Sequence, residues 1–296
     1  MLTAEVGASI ADAEGLVCPA PFPITRELLD SAPRLRVVSN FGVGFNNVDL
    51  AEMNRRGIAV CNTPGVLSDA VADLTMGMIF MASRGLAECH TFVHGGAWSR
   101  GEPLPPLGWD LAGKTLGLIG FGRIGRAVAR RARAFGMNII HHDVLAAADP
   151  EYDYVGPHAL DSLLANSDVV SLHVNLTPET HHLISSRELN LMKPTGWILN
   201  TARGPVIDQS ALVQALRSKQ IAGAVLDVLE VEPPAADDPI LSLDNAILLP
   251  HIGSATVETR AAMLDLAVQN LKAVLSGQTP PSCVNPEALE RAFQRR

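Results

Sequence analysis

The sequence predicts an α/β fold with a doubly wound parallel sheet, divided between two domains. Three observations predict it: a length of 296 residues, short apolar runs that alternate with helix-like segments, and one glycine-rich turn between a strand and a helix. Two domains are favoured at this length, because single cores stop growing near about 250–300 residues. Alternation of strand and helix is typical of parallel sheets with right-handed crossovers.

The predicted strands are short and lack strict polar alternation, which is typical of strands buried on both faces. They cover residues 35–38, 58–60, 115–119, 139–140, 169–174, 197–199, 224–226 and 247–249. Helix-like sequence covers residues 69–83, 123–135, 160–165, 209–219 and 257–276. Asp208 is a predicted N-cap for the helix at 209–219, and Gly223 lies just beyond that helix.

Composition excludes several classes of protein. The formal net charge is −8 and no basic run exceeds Arg130-Arg131, so a nucleic-acid or anionic-membrane partner is not expected. The start of the chain has no basic segment before an apolar one, and no apolar run reaches the roughly 18 residues of a membrane span. The four cysteines are scattered without metal-ligand spacing: Cys18, Cys61, Cys89 and Cys283. We therefore expect a cytoplasmic protein without a metal site.

The strongest local signal is a glycine-rich turn. The predicted strand at 115–119 leads into Gly120-Phe-Gly122-Arg-Ile-Gly125, and helix-like sequence follows. Gly120 permits a tight turn, Gly122 lets the backbone approach a pyrophosphate, and Gly125 lets helix and strand pack closely. The helix N-terminus offers N–H groups to the phosphates. In this context the turn indicates dinucleotide binding rather than a plain structural turn.

An acid follows the second strand of this unit. Asp143 lies about 20 residues beyond the glycines, where a carboxylate accepts hydrogen bonds from an adenosine ribose. A carboxylate there repels a 2′-phosphate, and the next residue is Val144 rather than arginine. The sequence therefore predicts NAD (NADH) over NADP, although Asp143 could instead cap a strand end. The neighbouring His141 and His142 point to opposite faces of a strand, which favours packing or exposure over a metal site.

Three further ionisable residues follow predicted strands. Arg203 comes just after the strand at 197–199, Glu232 shortly after the strand at 224–226, and His251 just after the strand at 247–249. In an open α/β sheet the carboxyl ends of the strands face the ligand crevice. Taken singly, these residues could be a surface salt bridge, a loop acid and a core histidine. Together, in a chain that also has a dinucleotide-binding motif, they favour a catalytic role over these structural ones.

These motifs resemble the D-isomer-specific 2-hydroxyacid dehydrogenase family, and the stretch 113–137 is most similar to its glyoxylate/hydroxypyruvate reductase branch. The resemblance covers about residues 24–286. It rests on ordered motifs at residues 40–49, 62–66, 120–125, 200–204, 227–233 and 250–256. The implied activity is NADH-dependent reduction of a small 2-oxo acid, similar to glyoxylate or hydroxypyruvate, to the D-2-hydroxy acid.

The resemblance also implies a role for each matching residue. Arg203 would hold the substrate carboxylate and 2-oxo group with its planar guanidinium. His251 would act as general acid/base, and Glu232 would hydrogen-bond it and keep it protonated for reduction. The amides of Val43 and Gly44 would bind the substrate carboxylate. The implied cofactor-binding residues are Gly120, Phe121, Gly122, Arg123, Ile124, Gly125, Asp143, Thr201, Ala202, Arg203, Asp227, His251 and Gly253.

The family fold implies a Rossmann-type NAD-binding domain at residues 67–261. A smaller flavodoxin-like substrate domain would combine residues 1–66 and 262–296, with the family's first strand missing because the sequence begins just before a segment similar to the second one. The family is typically dimeric, and the arm at residues 84–110 is a candidate interface because it contains Trp98 and Trp109. Packing within the domain explains these tryptophans equally well.

Two alternatives remain open at this level. A phosphoglycerate dehydrogenase-like enzyme would share the fold and the three ionisable residues, although no extra basic cluster near residues 42–46 is present to bind a phosphate. A non-catalytic, NADH-sensing regulatory protein of the same fold would need the glycines but not all of Arg203, Glu232 and His251.

Overall fold

The structure is a computed structural model that describes residues 10–19, 22–145 and 149–294. Most of the N-terminal segment that the sequence analysis tested for a secretory signal lies outside this range. The strands are β1 (Gly15–Pro19), β2 (Val37–Phe41), β3 (Ala59–Cys61), β4 (Thr115–Ile119), β5 (Asn138–His142), β6 (Gly156–Pro157), β7 (Val169–Leu172), β8 (Trp197–Asn200), β9 (Gly223–Leu226) and β10 (Ala246–Leu248). The helices are α1 (Arg26–Asp30), α2 (Leu50–Arg56), α3 (Ser68–Arg84), α4 (Leu86–His94), α5 (Arg123–Ala134), α6 (Leu160–Asn166), α7 (Ser186–Leu191), α8 (Gln209–Arg217), α9 (Val257–Leu275) and α10 (Leu289–Gln294).

Internal contacts divide the chain into two units. Unit 1 combines Met1–Leu67 with Ser254–Arg296, and unit 2 is the continuous segment Ser68–Gly253. The second boundary expected from the sequence lies after residue 261, whereas the contacts in the structure divide the chain after residue 253. The reason is that α9 packs along β1, β2 and β3, so the whole helix belongs to unit 1.

Unit 1 is built on a parallel sheet in the order β1-β2-β3. Two of its helices begin at a polar residue whose side chain accepts a backbone amide that has no acceptor within the helix. Thr25 accepts the amide of Leu28 at the start of α1, and Asp49 accepts that of Glu52 at the start of α2. Apolar residues lie on both faces of the sheet and form two clusters, one around Val38 and Val60 and one around Cys61.

Unit 2 is built on a parallel sheet in the order β10-β9-β8-β7-β4-β5-β6. The chain starts in the middle with β4, moves outward to β6, and returns to β7 on the other side of β4. The point between β4 and β7 is therefore the topological switch point, where open α/β sheets bind ligands. Leu116 and Leu118 enter the core on one face of β4 and Ile119 enters the core on the other, as expected for strands buried on both sides.

The structure confirms the predicted α/β fold and changes some details of it. The helix α8 ends at Arg217 with Ser218 as its C-cap, and Lys219 takes the left-handed conformation (φ 54°), so Gly223 does not end the helix but begins β9. A Cβ at Gly223 would lie 2.4 Å from the ring of Trp197, so close packing between strands explains this glycine. The proposed arm contains a helix, α4, that the sequence analysis did not predict.

No single helix within the described residues is long and apolar enough to cross a membrane. The helices α3 and α4, which are bent by 66° relative to each other, reach such a length and composition only when taken together.

A stability prediction follows from Gly117, which lies in β4 under α6. A Cβ at this position would lie 2.2 Å from Ser167 Oγ and 2.6 Å from Leu163 Cδ2. We expect Gly117→Ala to lower the free energy of unfolding by about 1–3 kcal/mol through overpacking, measured by thermal or denaturant unfolding.

The matched control is Gly77→Ala in the helix α3, where no described atom lies within 4 Å of the added Cβ. There alanine should leave stability unchanged or raise it, because alanine forms helix better than glycine. Equal stability losses in both variants would contradict the role given to Gly117.

Candidate active site

The glycine-rich turn lies at the carboxyl end of β4, beside the switch point. Gly120 has φ 94°, and a Cβ on it would come within 2.6 Å of the carbonyl carbon of His173. A Cβ on Gly125 would lie 2.3 Å from the carbonyl oxygen of Gly120. Gly122 is different, since no described atom beyond its chain neighbours lies within 4 Å of such a Cβ. The turn is therefore tightly packed on the protein side and open at Gly122.

The N-terminus of α5 follows directly, and Gly122 is its N-cap. Among the described residues, no side chain caps this helix end by a hydrogen bond. The first N–H groups of a helix lack intrahelical acceptors and carry the positive end of the helix dipole. An uncapped helix start beside an open glycine fits a dinucleotide pyrophosphate, which supplies both negative charge and acceptor oxygens.

Asp143 lies where β5 ends and contacts the glycine-rich turn. Its Oδ2 accepts the amide of Phe121 at 2.6 Å, and its Oδ1 accepts the amide of Leu145 at 2.7 Å. The carboxylate is thus held next to the turn rather than extended into solvent. Of the neighbouring histidines, His141 packs edge-on against the Phe121 ring with neither ring nitrogen hydrogen-bonded to a described residue, and His142 Nδ1 lies 3.0 Å from the carbonyl of His158.

Arg203 follows β8 in a turn that Asn200 organises. The side chain of Asn200 accepts the amide of Ala202 at 2.9 Å and donates to the carbonyl of Arg203 at 2.9 Å. The next residue, Gly204, lies so close to the loop after β9 that a Cβ on it would be 1.8 Å from the carbonyl oxygen of Leu229. The two loops are therefore packed directly on each other, which fixes Arg203 relative to the loop that contains Glu232.

The closest ionisable pair at these strand ends is His251 and Glu232. The Nδ1 of His251 lies 2.7 Å from Glu232 Oε2, and Glu232 Oε1 accepts the amide of Leu229 at 3.0 Å. Both side chains are about one-third exposed, at 37% and 30%. The imidazole therefore points to solvent-accessible space while its orientation is set by a carboxylate that is itself anchored to the backbone.

His251 has a left-handed backbone conformation (φ 55°), which costs a non-glycine residue of order 1–3 kcal/mol. Asp227 holds this turn with three hydrogen bonds. Its carbonyl accepts the amide of His251 at 2.9 Å, and its carboxylate oxygens accept the amides of Ile252 and Gly253 at 2.7 and 2.8 Å. Asp227 is buried. The geometry therefore makes Asp227 the clamp that positions His251.

The charges in this cluster influence each other. Burial opposes the charge of Glu232, but the hydrogen bond from His251, the charges of His251 and Arg203 and the Leu229 amide together hold its pKa below the usual value. Burial lowers the pKa of Arg203, and the charge of Glu232 acts in the opposite direction. Burial raises the pKa of Asp227, against the pull of the two amides that it accepts. Glu232 is therefore an anion near neutral pH.

One residue at these strand ends was missed by the sequence analysis. His173 follows β7, with Nε2 3.0 Å from Ser171 Oγ and Nδ1 3.5 Å from Thr201 Oγ1. Burial lowers the pKa of His173 to about 3, so this imidazole is neutral under ordinary conditions. Arg203 was selected because it is an ionisable residue that comes just after a strand, and His173 meets the same criterion. It was overlooked because the predicted strand at 169–174 ran two residues too far and included His173.

The remaining predicted residues are divided between the two units. Thr201 and Ala202 lie in the turn that ends at Arg203, and Gly253 in the turn held by Asp227. Val43 and Gly44 belong to unit 1, where their carbonyls accept the side-chain amides of Asn62 (2.8 Å) and Asn40 (3.1 Å).

The fold, the glycine-rich turn and the cluster of ionisable residues define a dinucleotide-binding α/β protein with a histidine–carboxylate pair at the carboxyl edge of its sheet. Comparison with known proteins makes this class specific. The family model described as "D-isomer specific 2-hydroxyacid dehydrogenase, NAD binding domain" matches residues 76–253. The chain belongs to this family of oxidoreductases.

Individual relatives agree with the family match. The chain is 45% identical over 288 residues to a glyoxylate reductase of Thermofilum pendens, covering 95% of this chain and 84% of that one. A crystal structure of an NADPH-dependent glyoxylate/hydroxypyruvate reductase from Sinorhizobium meliloti, in complex with NADP and malonate, aligns with a TM-score of 0.87 at 38% identity, covering 95% and 86% of the two chains. D-lactate dehydrogenase from Aquifex aeolicus, complexed with NAD and lactic acid, aligns with a TM-score of 0.85 at 32% identity, covering 94% and 88%.

The open space at Gly122 leads to a binding prediction. We expect Gly122→Ala to weaken NADH binding by roughly 10-fold or more, because a methyl group would occupy the space that a pyrophosphate needs, at a cost of at least about 1.4 kcal/mol. Fluorescence titration with NADH measures the change.

The melting temperature of Gly122→Ala should stay near that of the unchanged protein, since the added methyl group meets no described atom within 4 Å. Wild-type NADH affinity in a folded Gly122→Ala variant would show that the cofactor does not approach this glycine.

Proposed function

We propose that this protein is an NADH-dependent reductase of small 2-oxo acids, similar to glyoxylate or hydroxypyruvate, that forms the D-2-hydroxy acid. The observation that carries the proposal is the His251–Glu232 pair at 2.7 Å, which lies at the same sheet edge as Arg203 and the glycine-rich turn. The relatives named glyoxylate reductase support the substrate class. Bound NADH would supply the hydride, and the chain's own residues would supply position, charge and a proton.

His251 is the proposed general acid. Because Nδ1–H donates to the Glu232 carboxylate, Nε2 is the ring nitrogen that can face a substrate and give its proton to the developing alkoxide oxygen. The Glu232 carboxylate holds the imidazole in the orientation that leaves Nε2 available to the substrate. In the reverse direction, Nε2 takes the proton from the hydroxyl group of the 2-hydroxy acid.

Arg203 is the proposed ligand for the substrate carboxylate and 2-oxo group. A guanidinium offers a planar fork of donors that matches a carboxylate, and an arginine stays charged even when burial lowers its pKa. In an acidic protein this local positive charge is needed to bind an acidic substrate. We propose that the backbone amides of Val43 and Gly44 contribute further donors.

The proposed cofactor is NADH rather than NADPH. Asp143 lies against the glycine-rich turn, where a carboxylate favours the hydroxyl groups of an adenosine ribose and repels a 2′-phosphate. The relatives include both kinds of enzyme, since the Sinorhizobium meliloti reductase is NADPH-dependent and the Aquifex aeolicus dehydrogenase is complexed with NAD. The preference therefore rests on Asp143 itself.

We further propose a cytoplasmic homodimer formed through the arm at residues 84–110. Exposed apolar side chains support an interface there: Trp98 is 64% exposed, Leu104 73% and Leu107 99%. Large exposed apolar groups are costly unless a partner covers them. Packing within the domain, the alternative to an interface, accounts for Trp109: its ring packs against the core of unit 2, and its amide donates to the carbonyl of Ser83.

The reaction is tested by following NADH absorbance with glyoxylate, hydroxypyruvate, pyruvate, phenylpyruvate and 3-phosphohydroxypyruvate. We expect the highest kcat/KM with glyoxylate or hydroxypyruvate. His251→Gln should lower kcat by about 10²–10⁴-fold, the usual contribution of general acid/base catalysis. Arg203→Lys should mainly raise KM, because a lysine cannot reproduce the planar fork.

Three results would contradict the assignment. Tight NADH binding without turnover of any substrate would favour the sensor alternative, and a preference for 3-phosphohydroxypyruvate would favour the phosphoglycerate dehydrogenase-like one. Near-normal turnover by a folded His251→Gln variant would remove His251 from catalysis.

Cofactor preference is tested with Asp143→Asn, which keeps a side-chain oxygen for the Phe121 amide and removes the negative charge. The unchanged protein should show the higher kcat/KM with NADH. In the variant, the NADPH/NADH ratio of kcat/KM should rise by roughly 10-fold or more, which corresponds to about 1.4 kcal/mol of relieved repulsion. A clear NADPH preference before substitution, or an unchanged ratio after it, would refute the role of Asp143.

A further inference from the structure

The C-terminal segment of unit 1 lies antiparallel to β3. The amide of Val284 donates to the carbonyl of Val60 at 2.8 Å, and Ser282 Oγ donates to Asn62 Oδ1 at 2.5 Å. As the chain advances from residue 60 to 62 in β3, its partners therefore run backward from 284 to 282. This register places Cys61 directly opposite Cys283.

The position of this cysteine pair favours close approach of the two sulfurs. In β3, the backbone bond at Val60 comes just before this pair and the Ser282–Asn62 bond just after it, so the two cysteines are enclosed between two contacts that join the segments. Both cysteines are free thiols of the same apolar cluster, and the Sγ of Cys283 donates to Asn285 Oδ1 at 3.7 Å, on the residue that also accepts the amide of Val60 beside Cys61.

Side-chain hydrogen bonds fix this register from both ends. Asn285 accepts the amide of Val60 at 2.6 Å and donates to the carbonyl of Ile58 at 3.0 Å. At the other end, Asn270 donates to the carbonyl of Asn62 and accepts the amide of Ser282, both at 2.9 Å. The thiols are therefore held together in advance, and joining them costs little conformational entropy.

The two thiols are not equivalent. Cys61 is fully buried and its pKa is raised, first by its hydrogen bond with Cys283 and then by burial. Cys283 is partly exposed and its pKa is lowered, chiefly by its hydrogen bond with Cys61, against the effect of burial. A lowered pKa and solvent access are typical of a thiol that reacts first, and a neighbouring protected thiol is typical of the one that resolves the product.

We infer that Cys61 and Cys283 form a redox modification site that converts reversibly between a dithiol and a disulfide on reaction with a peroxide. The Cys283 thiolate attacks one peroxide oxygen, an S–O bond forms, the O–O bond breaks, and the leaving hydroxide becomes water on taking a proton. The Cys61 sulfur then attacks the Cys283 sulfur. The S–S bond forms as the S–O bond breaks, and the Cys61 proton leaves with the second hydroxide as water. Two thiols are oxidised and one peroxide is reduced to two waters.

The test treats the intact protein with hydrogen peroxide, unfolds it, alkylates the remaining thiols with N-ethylmaleimide and maps the peptides by mass spectrometry. We expect two of the four thiols to resist alkylation, a cross-linked peptide pair that contains Cys61 and Cys283, and full recovery after dithiothreitol. Four alkylated thiols, or a disulfide that involves Cys18 or Cys89, would overturn the inference.

Single variants separate the two roles. Cys61→Ser should stop at the sulfenic acid of Cys283, which dimedone traps, whereas Cys283→Ser should lose peroxide reactivity at this site. Cys89→Ser is the matched control, since this partly exposed thiol lies elsewhere, in α4, and its loss should leave the disulfide yield unchanged. Cys61→Ser changes a fully buried position and could reduce folding, so Cys283→Ser, at a partly exposed position, tests the site independently. Equal thiol loss in Cys283→Ser and the unchanged protein would refute the reactive role of Cys283.

Discussion

The geometry of the candidate site depends on the hydrogen bonds that Asp227 makes to the turn after β10. A left-handed histidine is unfavourable by itself, and the three bonds from this one residue hold the turn at His251, Ile252 and Gly253. Asp227 has a buried carboxylate, so these amides also satisfy a group that would otherwise be costly to bury. The orientation of His251 toward Glu232 follows from this arrangement.

The other parts of the site reach the same place because the sheet of unit 2 is parallel. Each strand delivers its following loop to one edge, so residues far apart in sequence meet there without long connections. Close packing then fixes the loops: Gly204 against Leu229 ties the Arg203 turn to the loop of Glu232, and Gly120 against His173 ties the glycine-rich turn to the end of β7. The positions of these loops are therefore fixed by close backbone contacts that only glycine, which has no Cβ, permits.

Much of this arrangement could be predicted from the sequence, because it depends on local patterns. Buried strands, the glycine motif and the N-cap at Asp208 have short-range signals, and the structure has them at or near the expected positions. His173 was missed because apolar residues flank it on both sides and hide the end of β7. Asp227 was named from the sequence only as a cofactor-binding residue. Its hydrogen bonds to the His251 turn were not predicted, because its partners lie about 25 residues away and their amides become available only when that turn takes its left-handed shape. Pattern analysis finds residues that share an edge but not the hydrogen bonds that orient them.

The division of the chain has a consequence for its synthesis on the ribosome. Unit 2 is one continuous segment, so all of its strands have been translated well before the chain ends. Unit 1 needs both ends, since Arg36 in its N-terminal part donates to the carbonyl of Ala292 and Val60 to the side chain of Asn285. Its N-terminal strands therefore remain incompletely covered until Asn285 and Ala292 have been translated. The N-terminal part of unit 1 is thus made before unit 2 and completed after it, and its apolar surface stays exposed to misassembly during that interval.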